Sequence, residues 1–466
     1  MSTISLQKPD SALFQFPPRH DPLALPPPIA GSTLSAPPFN ISAELYNSLL
    51  DVRVPITIAA VYAVSVSSLN AYNRSRGNKP WAISKTRAFF CFVVLHNIFL
   101  AVYSGWTFIG MWKALQNSVA GWSGPDGLSA TVDSLCKIHG PRGLGNAVVY
   151  EPASSSWISQ SPDSVFLTSA GLPDATDYGR LWNQGLAFYG WFFYLSKFYE
   201  VLDTVIILAK GKRSSTLQTY HHAGAMMCMW AGIRYMSPPI WMFVFVNSGI
   251  HALMYTYYTL TAFSVPIPQA LKRSLTTMQI VQFLVGATYA AIHSFVYYTI
   301  PVKVPVVKAA AEKITSVASA AISSESATAS IAASTTALVD LVKKYLFYAV
   351  GEQGLAENIN APLTTPSPKV APITGNDGIK YNVEYQSVPC IATSGQTFAI
   401  WFNVLYLTPL TVLFVRFFVK SYLRRSQKSK VVANGKPVGN EKAVANGNTY
   451  AKVVENGSPA KANGKH

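Results

Sequence analysis

Charge is what this chain of 466 residues has least of: 12% of it is Asp, Glu, Lys or Arg, while 50% is hydrophobic. That scarcity argues against a soluble globular protein, whose apolar residues would alternate with polar ones. Here they gather into blocks. A cleavable signal peptide is also missing, because residues 1–40 are rich in proline and lack a basic start followed by an apolar core, so the first apolar block is expected to act as the insertion signal. There is no internal repeat among the blocks and no pair of Gly/Pro-broken helices at corresponding positions. This counts against a membrane transporter of a small polar or lipid substrate, the alternative function for such a chain.

About 20 apolar residues suffice to cross a hydrocarbon core of roughly 30 Å. Seven blocks meet that length, at about residues 54–72, 88–112, 186–209, 217–236, 239–263, 274–300 and 397–421, the first being the least hydrophobic. The expected fold class is an all-α polytopic membrane protein with seven transmembrane helices. Basic residues collect after the first block (Arg74, Arg76, Lys79, Lys85, Arg87), after the third (Lys210, Lys212, Arg213) and after the fifth (Lys272, Arg273). From Lys420 onward ten Lys or Arg face two acids, Glu441 and Glu455, so half of the net +16 lies there. Basic loops face the cytosol, which with seven spans puts the N-terminus outside the cytosol and the C-terminus inside; the lumen as that outside is what the resemblance given below implies. The same rule explains the basic excess without a nucleic-acid partner. The expected organisation is a disordered, Pro-rich luminal segment over 1–45, a membrane domain over 46–425 and a disordered basic cytosolic tail over 426–466, with repeated Asn-Gly phrases. Two luminal stretches interrupt the membrane domain, a loop at 113–185 and a low-complexity insert at 301–396. Residues 341–348 of the insert are either an amphipathic surface helix or disordered.

Of four cysteines, Cys91 and Cys228 fall inside spans as packing residues. Cys136 and Cys390 lie in the two long luminal stretches, on the oxidising side, and are expected to pair. Asn40-Ile41-Ser42 is a glycosylation sequon on the same side.

Polar residues inside spans carry an insertion penalty, so each calls for a reason. Lys197, Glu200 and Asp203 recur every third residue in the third span, as an inward stripe or a structural Lys197–Glu200 ion pair. Gln218, Tyr220, His221 and His222 open the fourth span. Asn247, His251, Tyr255 and Tyr258 share a face of the fifth, and Thr276, Gln279 and Gln282 a face of the sixth. His96 and Asn97 occupy the second, while His293 is expected to be no more than a helix contact. At 1.5 Å per residue, His221 lies about 6 Å from its cytosolic end, His96 and Gln282 about 12 Å, Glu200 about 14 Å and His251 about 18 Å. A shared cytosolic half implies one cavity open to the cytosol.

Only eight histidines are present; His20 and His466 lie in the tails and His139 in a loop. The remaining five, with Glu200 and Asp203, are too few for a di-iron centre of the lipid desaturase kind. A single zinc is the lesser alternative, and no bound metal is expected. Neutral imidazoles beside amide, phenol and carboxylate groups instead suit acyl transfer or carbanion chemistry.

The segments Lys197-Phe-Tyr-Glu-Val-Leu-Asp-Thr204, Leu217-Gln-Thr-Tyr-His-His-Ala-Gly-Ala225, Asn247-Ser-Gly-Ile-His-Ala-Leu-Met-Tyr-Thr-Tyr-Tyr258 and Thr276-Thr-Met-Gln-Ile-Val-Gln282 resemble, in order, the signatures of the ELO family of fatty acid elongases. The resemblance runs from about His96 to Tyr422 and implies a seven-helix endoplasmic reticulum protein enclosing an acyl-chain tunnel. It implies a 3-oxoacyl-CoA synthase that condenses a long-chain acyl-CoA with malonyl-CoA, releasing carbon dioxide and CoA. No bound cofactor is implied. The partners would be the two thioesters, the bilayer, and the reductase and dehydratase of the elongation cycle. Carried over by motif, His221 would take the acyl group, and His251 or His222 would assist decarboxylation and condensation. Lys197, Glu200, Asp203, Gln218, Asn247, Tyr255, Tyr258, Gln279, Gln282, His96 and Asn97 would bind substrate or support the site. Many members have His where this chain has Gln218. The Gln form resembles the branch acting on polyunsaturated chains, particularly the Δ9 elongases. A neutral amide there orients a neighbour rather than transferring a proton.

Overall fold

A computed structural model of the chain describes residues 3–423 apart from 19–20, 34, 125, 161–165, 177–178, 306–372 and 375–379. The expected tail, 426–466, and the Ala/Ser-rich part of the insert lie outside the described residues. Apolar length decides the main elements. Helices α1 (Ala43–Leu49), α2 (Arg53–Ser75) and α3 (Arg87–Ser118) lead into the short α4 (Gly127–Cys136). After a hairpin of β2 (Val148–Glu151) and β3 (Ser156–Ser159) come α5 (Ala187–Tyr199), α6 (Val201–Ala209), α7 (Thr216–Arg234), a single turn α8 (Ile240–Met242), α9 (Ser248–Ala262) and α10 (Gln269–His293). The last helix, α11, spans Ser394–Phe418.

Four of these, α2, α3, α10 and α11 with its π-helical last turn, are long and apolar enough to cross a membrane. Their outward faces stay apolar: Val64 on α2, Leu95 on α3 and Leu405 on α11 are each more than 60% exposed. A water-soluble bundle would put such residues inside. The third, fourth and fifth expected spans are helical too, the third and fifth with irregular turns. The third is broken at Glu200, where α5 ends and α6 begins, and a π-helical turn (Trp182–Leu186) precedes it. The fifth is opened by another π-helical turn, Phe243–Asn247. Such turns replace the regular hydrogen-bond ladder locally and re-aim side chains.

Helix ends follow local chemistry. The side chains of Thr86, Ser215 and Thr393 accept hydrogen bonds from Phe89, Gln218 and Gln396 N–H, capping α3, α7 and α11. The stop after α6 needs Gly211, whose φ is 72°; a β-carbon there would collide with the backbone at Asn78. The backbone N–H of Trp81 donates to Ala209 O and the Asn73 amide to Leu208 O, tying the first basic loop to the second.

Two expectations need correction. The sixth span was expected to reach residue 300, yet helix ends at His293 and Val296–Pro305 is strand β4. Its alternation explains why: Tyr298 and Ile300 are buried while their neighbours are only partly so, the period of two of a strand. β4 pairs antiparallel with β6 (Lys380–Pro389), flanked by β1 (Ile4–Leu6) and β5 (Ile373–Thr374), in the order β1-β4-β6-β5. The fold is therefore mostly helical, with a sheet capping one end, rather than all-α. The N-terminal segment, expected to be disordered, packs on that cap. Its Asp21 accepts from Gly395 N–H, Arg234 donates to Pro22 O and the Trp182 indole donates to Leu25 O.

Cys136 and Cys390 are joined as a disulfide with Cα atoms 4.8 Å apart, docking α4 on the sheet beside Tyr298, Ile300 and Val388. Arg180, buried beneath, donates to the Asp133 carboxylate at 2.6 Å and to four backbone carbonyl contacts, and Tyr298 donates to the other Asp133 oxygen.

Candidate active site

The residues the motifs single out converge at the end of the bundle opposite the cap. A cavity of about 1370 Å³ lies there between α6, α7, α9, α10 and α11. His221, His222, His251, Gln218, Glu200, Asp203, Tyr255, Tyr258 and Gln279 all contribute to its wall. The cap of α7 at Ser215 sets the register that turns Gln218, His221 and His222 toward it, the i and i+3/i+4 positions of one helical face.

Behind the wall, polar side chains pair with one another, as buried polar groups must. Lys197 donates to Glu200 Oε1 at 2.7 Å and lies over the Phe193 ring, 4.1 Å from its centroid. Glu200 Oε1 also faces His251 Nδ1 at 3.6 Å, beyond direct hydrogen-bond reach. Lys197 and Gln282 are linked through Asn247, at 3.4 Å each. These three stand behind the cavity rather than on it. Asp203 shares the cavity wall with Glu200 but joins a different network. Its carboxylate binds His96 Nε2 at 2.8 Å on one oxygen and accepts the Tyr255 hydroxyl at 2.6 Å on the other, joining α3, α6 and α9. Gln218 Nε2 meets His222 Nε2 at 2.8 Å and also contacts Thr204, which pairs with the Tyr62 hydroxyl. A donating amide leaves His222 with its proton on Nδ1. Gln279 contacts Met254 Sδ. Asn97 is buried on α3, away from the cavity, and His293 Nδ1–H donates to Tyr289 O within its own helix.

Several cavity residues escaped the reading of the sequence. Arg213, Lys272 and Arg273 line it; in sequence they served only as markers of orientation. Ser214, Ser215, Tyr257 and Tyr422 also line it, beside Thr276 of the expected polar face. Tyr406, 185 residues from His221, meets His221 Nδ1 at 3.0 Å. A lone Tyr in an apolar span carries no signal of that contact. Among the described residues, the cluster with metal-ligand spacing is Cys136, His293 and Cys390, in the cap, where the two sulfurs are bonded to each other.

Chemically, the arrangement offers imidazoles from α7 and α9 on one wall, a carboxylate behind one of them and cations from two loops. That suits attack on an acyl group carried by an anionic group. A family model described as ELO, the GNS1/SUR4 family, matches residues 48–430. Very long chain fatty acid elongase 3 of Homo sapiens is 38% identical over 105 residues, covering 22% of this chain and 39% of that protein. Fatty acid elongase 2 of Trypanosoma brucei brucei is 31% identical over 123 residues, 26% of this chain and 45% of that one. Very long chain fatty acid elongase 4 of Mus musculus is 39% identical over 107 residues, 22% and 34%. The matched stretch thus spans less than half the length of each of these relatives. With the family pattern matched across most of its own length, the chain belongs to the ELO, or GNS1/SUR4, family.

Proposed function

We propose that the chain is the condensing enzyme of fatty acid elongation, a 3-oxoacyl-CoA synthase acting on long-chain, polyunsaturated acyl-CoA and malonyl-CoA. The observation that carries this reading is the presence of His221 and His251, from different helices, on the wall of one large cavity whose loop end bears Arg213, Lys272 and Arg273. Those cations suit the phosphates of a CoA thioester. A volume of about 1370 Å³ exceeds the usual small-ligand pocket and leaves room for a long chain.

In the proposed reaction, His221 Nε2 attacks the thioester carbonyl, the C–S bond breaks and CoA leaves as thiolate, giving an acyl-imidazolium. Malonyl-CoA then loses carbon dioxide. Its enolate carbon attacks the acyl group, and neutral His221 is released with a 3-oxoacyl-CoA two carbons longer. His251, backed by Glu200, is oriented to assist the second step, with His222 held by Gln218 as its neighbour. The Gln218 amide is the feature that favours the polyunsaturated branch. In this reading the helices over 182–209, 216–234 and 240–262 complete seven crossings of the endoplasmic reticulum membrane. The N-terminus is luminal, the C-terminus cytosolic, and an acyl tunnel leads inward from the histidines. The reductase and dehydratase of the cycle would take the product.

Purified protein incubated with labelled malonyl-CoA and a panel of acyl-CoAs should form 3-oxoacyl-CoA with a preference for polyunsaturated chains. His221→Ala should abolish product while the protein still inserts. A fully active His221→Ala variant would refute the assignment.

A further inference from the structure

We infer that Tyr406 is a positioning residue that holds His221 in the tautomer with the proton on Nδ1 and the lone pair on Nε2. The inference rests on the elongase reading and deepens it. The Tyr406 hydroxyl makes two contacts with one residue: His221 Nδ1 at 3.0 Å and the His221 carbonyl oxygen at 3.0 Å. A hydroxyl has one proton, and a carbonyl can only accept. The assignment that satisfies both contacts has Tyr406 donating to the carbonyl and accepting from Nδ1–H. The reverse assignment sets two lone pairs facing each other at hydrogen-bond distance in a half-buried site.

The tyrosine itself is fixed from three sides. Its ring stacks on Tyr220 with centroids 5.6 Å apart, and the Tyr220 hydroxyl donates to Tyr406 O. It also lies against Gly224, where a β-carbon would overlap the ring. The small residue two positions after the His-His pair is therefore what lets α11 approach α7 closely enough for the contact. Acylation of Nε2 leaves a positive charge on the imidazole while CoA departs as thiolate. The Nδ1–H···Oη bond then becomes charge-assisted and strengthens as the bond to carbon forms.

Tyr406→Phe keeps the ring and removes one oxygen. On rapid mixing with acyl-CoA alone, the rate of CoA release should fall about 10- to 100-fold, with KM for acyl-CoA unchanged and the thermal midpoint lowered by no more than a few degrees. Tyr194→Phe, which removes a hydroxyl bonded to Leu49 O away from the cavity, should keep the original rate. An unchanged rate in Tyr406→Phe, a change confined to KM, or an equal loss in both variants would overturn the inference and assign Tyr406 to packing. Failure of the unaltered protein to release CoA from any acyl-CoA would instead refute the elongase reading, and the Tyr406 role with it.

Discussion

The Lys197–Glu200 pair allows catalytic orientation to be separated from structural support. Both residues are buried, at 4% and 2% exposure, and 2.7 Å separates the ammonium from Glu200 Oε1. Glu200→Gln leaves the Lys197 ammonium buried beside a neutral amide. Breaking a buried pair by removing one partner costs about 3–5 kcal/mol, a fall in melting temperature on the order of 10 °C. Removing both charges, as in Lys197→Met with Glu200→Leu, should recover most of that loss, because well-packed apolar replacements of buried pairs are close to neutral. Activity should not return. The double variant has no carboxylate 3.6 Å from His251 Nδ1 to offset charge that develops on that ring, and condensation should stay down by roughly 100-fold. Thermal melts in detergent and the labelled malonyl-CoA assay measure the two effects on the same samples. If the double variant regained both stability and activity, Glu200 would be structural only and the reasoning would be wrong.

Charge reversal of the cavity cations, Arg213→Glu or Lys272→Glu with Arg273→Glu, should raise KM for acyl-CoA several-fold at low salt, with the gap narrowing as ionic strength rises and screening shortens; a salt-independent change would point elsewhere. The cap should weaken on acidification. Burial, with a smaller contribution from the Arg180 charge, pushes His139 down to about 3, so between pH 6.5 and 3 the unfolded chain binds a proton that the folded cap refuses. Cap stability should therefore fall with pH at up to about 1.4 kcal/mol per pH unit and level off below pH 3. Lys137, lowered to about 8 by burial, contributes a slope only at higher pH, where stability rises between 8 and 10.5. Hydrogen exchange of α4 and β4 across pH 4–7 checks this. Cys136→Ser should loosen the same elements, read as faster exchange there, while leaving the cavity end unaltered, since the bridge links only the cap.

Crossing helices were legible because insertion depends on apolar length summed over one contiguous segment. The start of α7 at Ser215-Thr216 and of α3 at Thr86-Arg87 lies within a residue or two of the expected bounds, set by a side chain three residues from the N–H it caps. The strand at Val296–Pro305 was not legible in the same way, since its apolar residues look identical to the end of a span until a partner strand some 80 residues away supplies the hydrogen bonds. The N-terminal segment was misjudged for a related reason. Its proline content argues against helix or strand but is no obstacle to packing through Asp21, Pro22 and Leu25 against distant residues.

At the site, the residue types were apparent in the chain, because imidazole, carboxylate and amide groups in apolar helices are costly and therefore conspicuous. Their pairing was not. Lys197, Glu200 and Asp203, one stripe in the sequence, belong to two networks, because Asp203 finds its partners in His96 and Tyr255 on other helices. The sequence by itself determined which segments are long and apolar enough to cross a membrane and which of them carry reactive side chains, since both depend on residues near one another in the chain. Only the tertiary structure decided that His221 meets Tyr406 and that loop cations share a cavity with the histidines, because those contacts join helices whose approach depends on how every other helix packs.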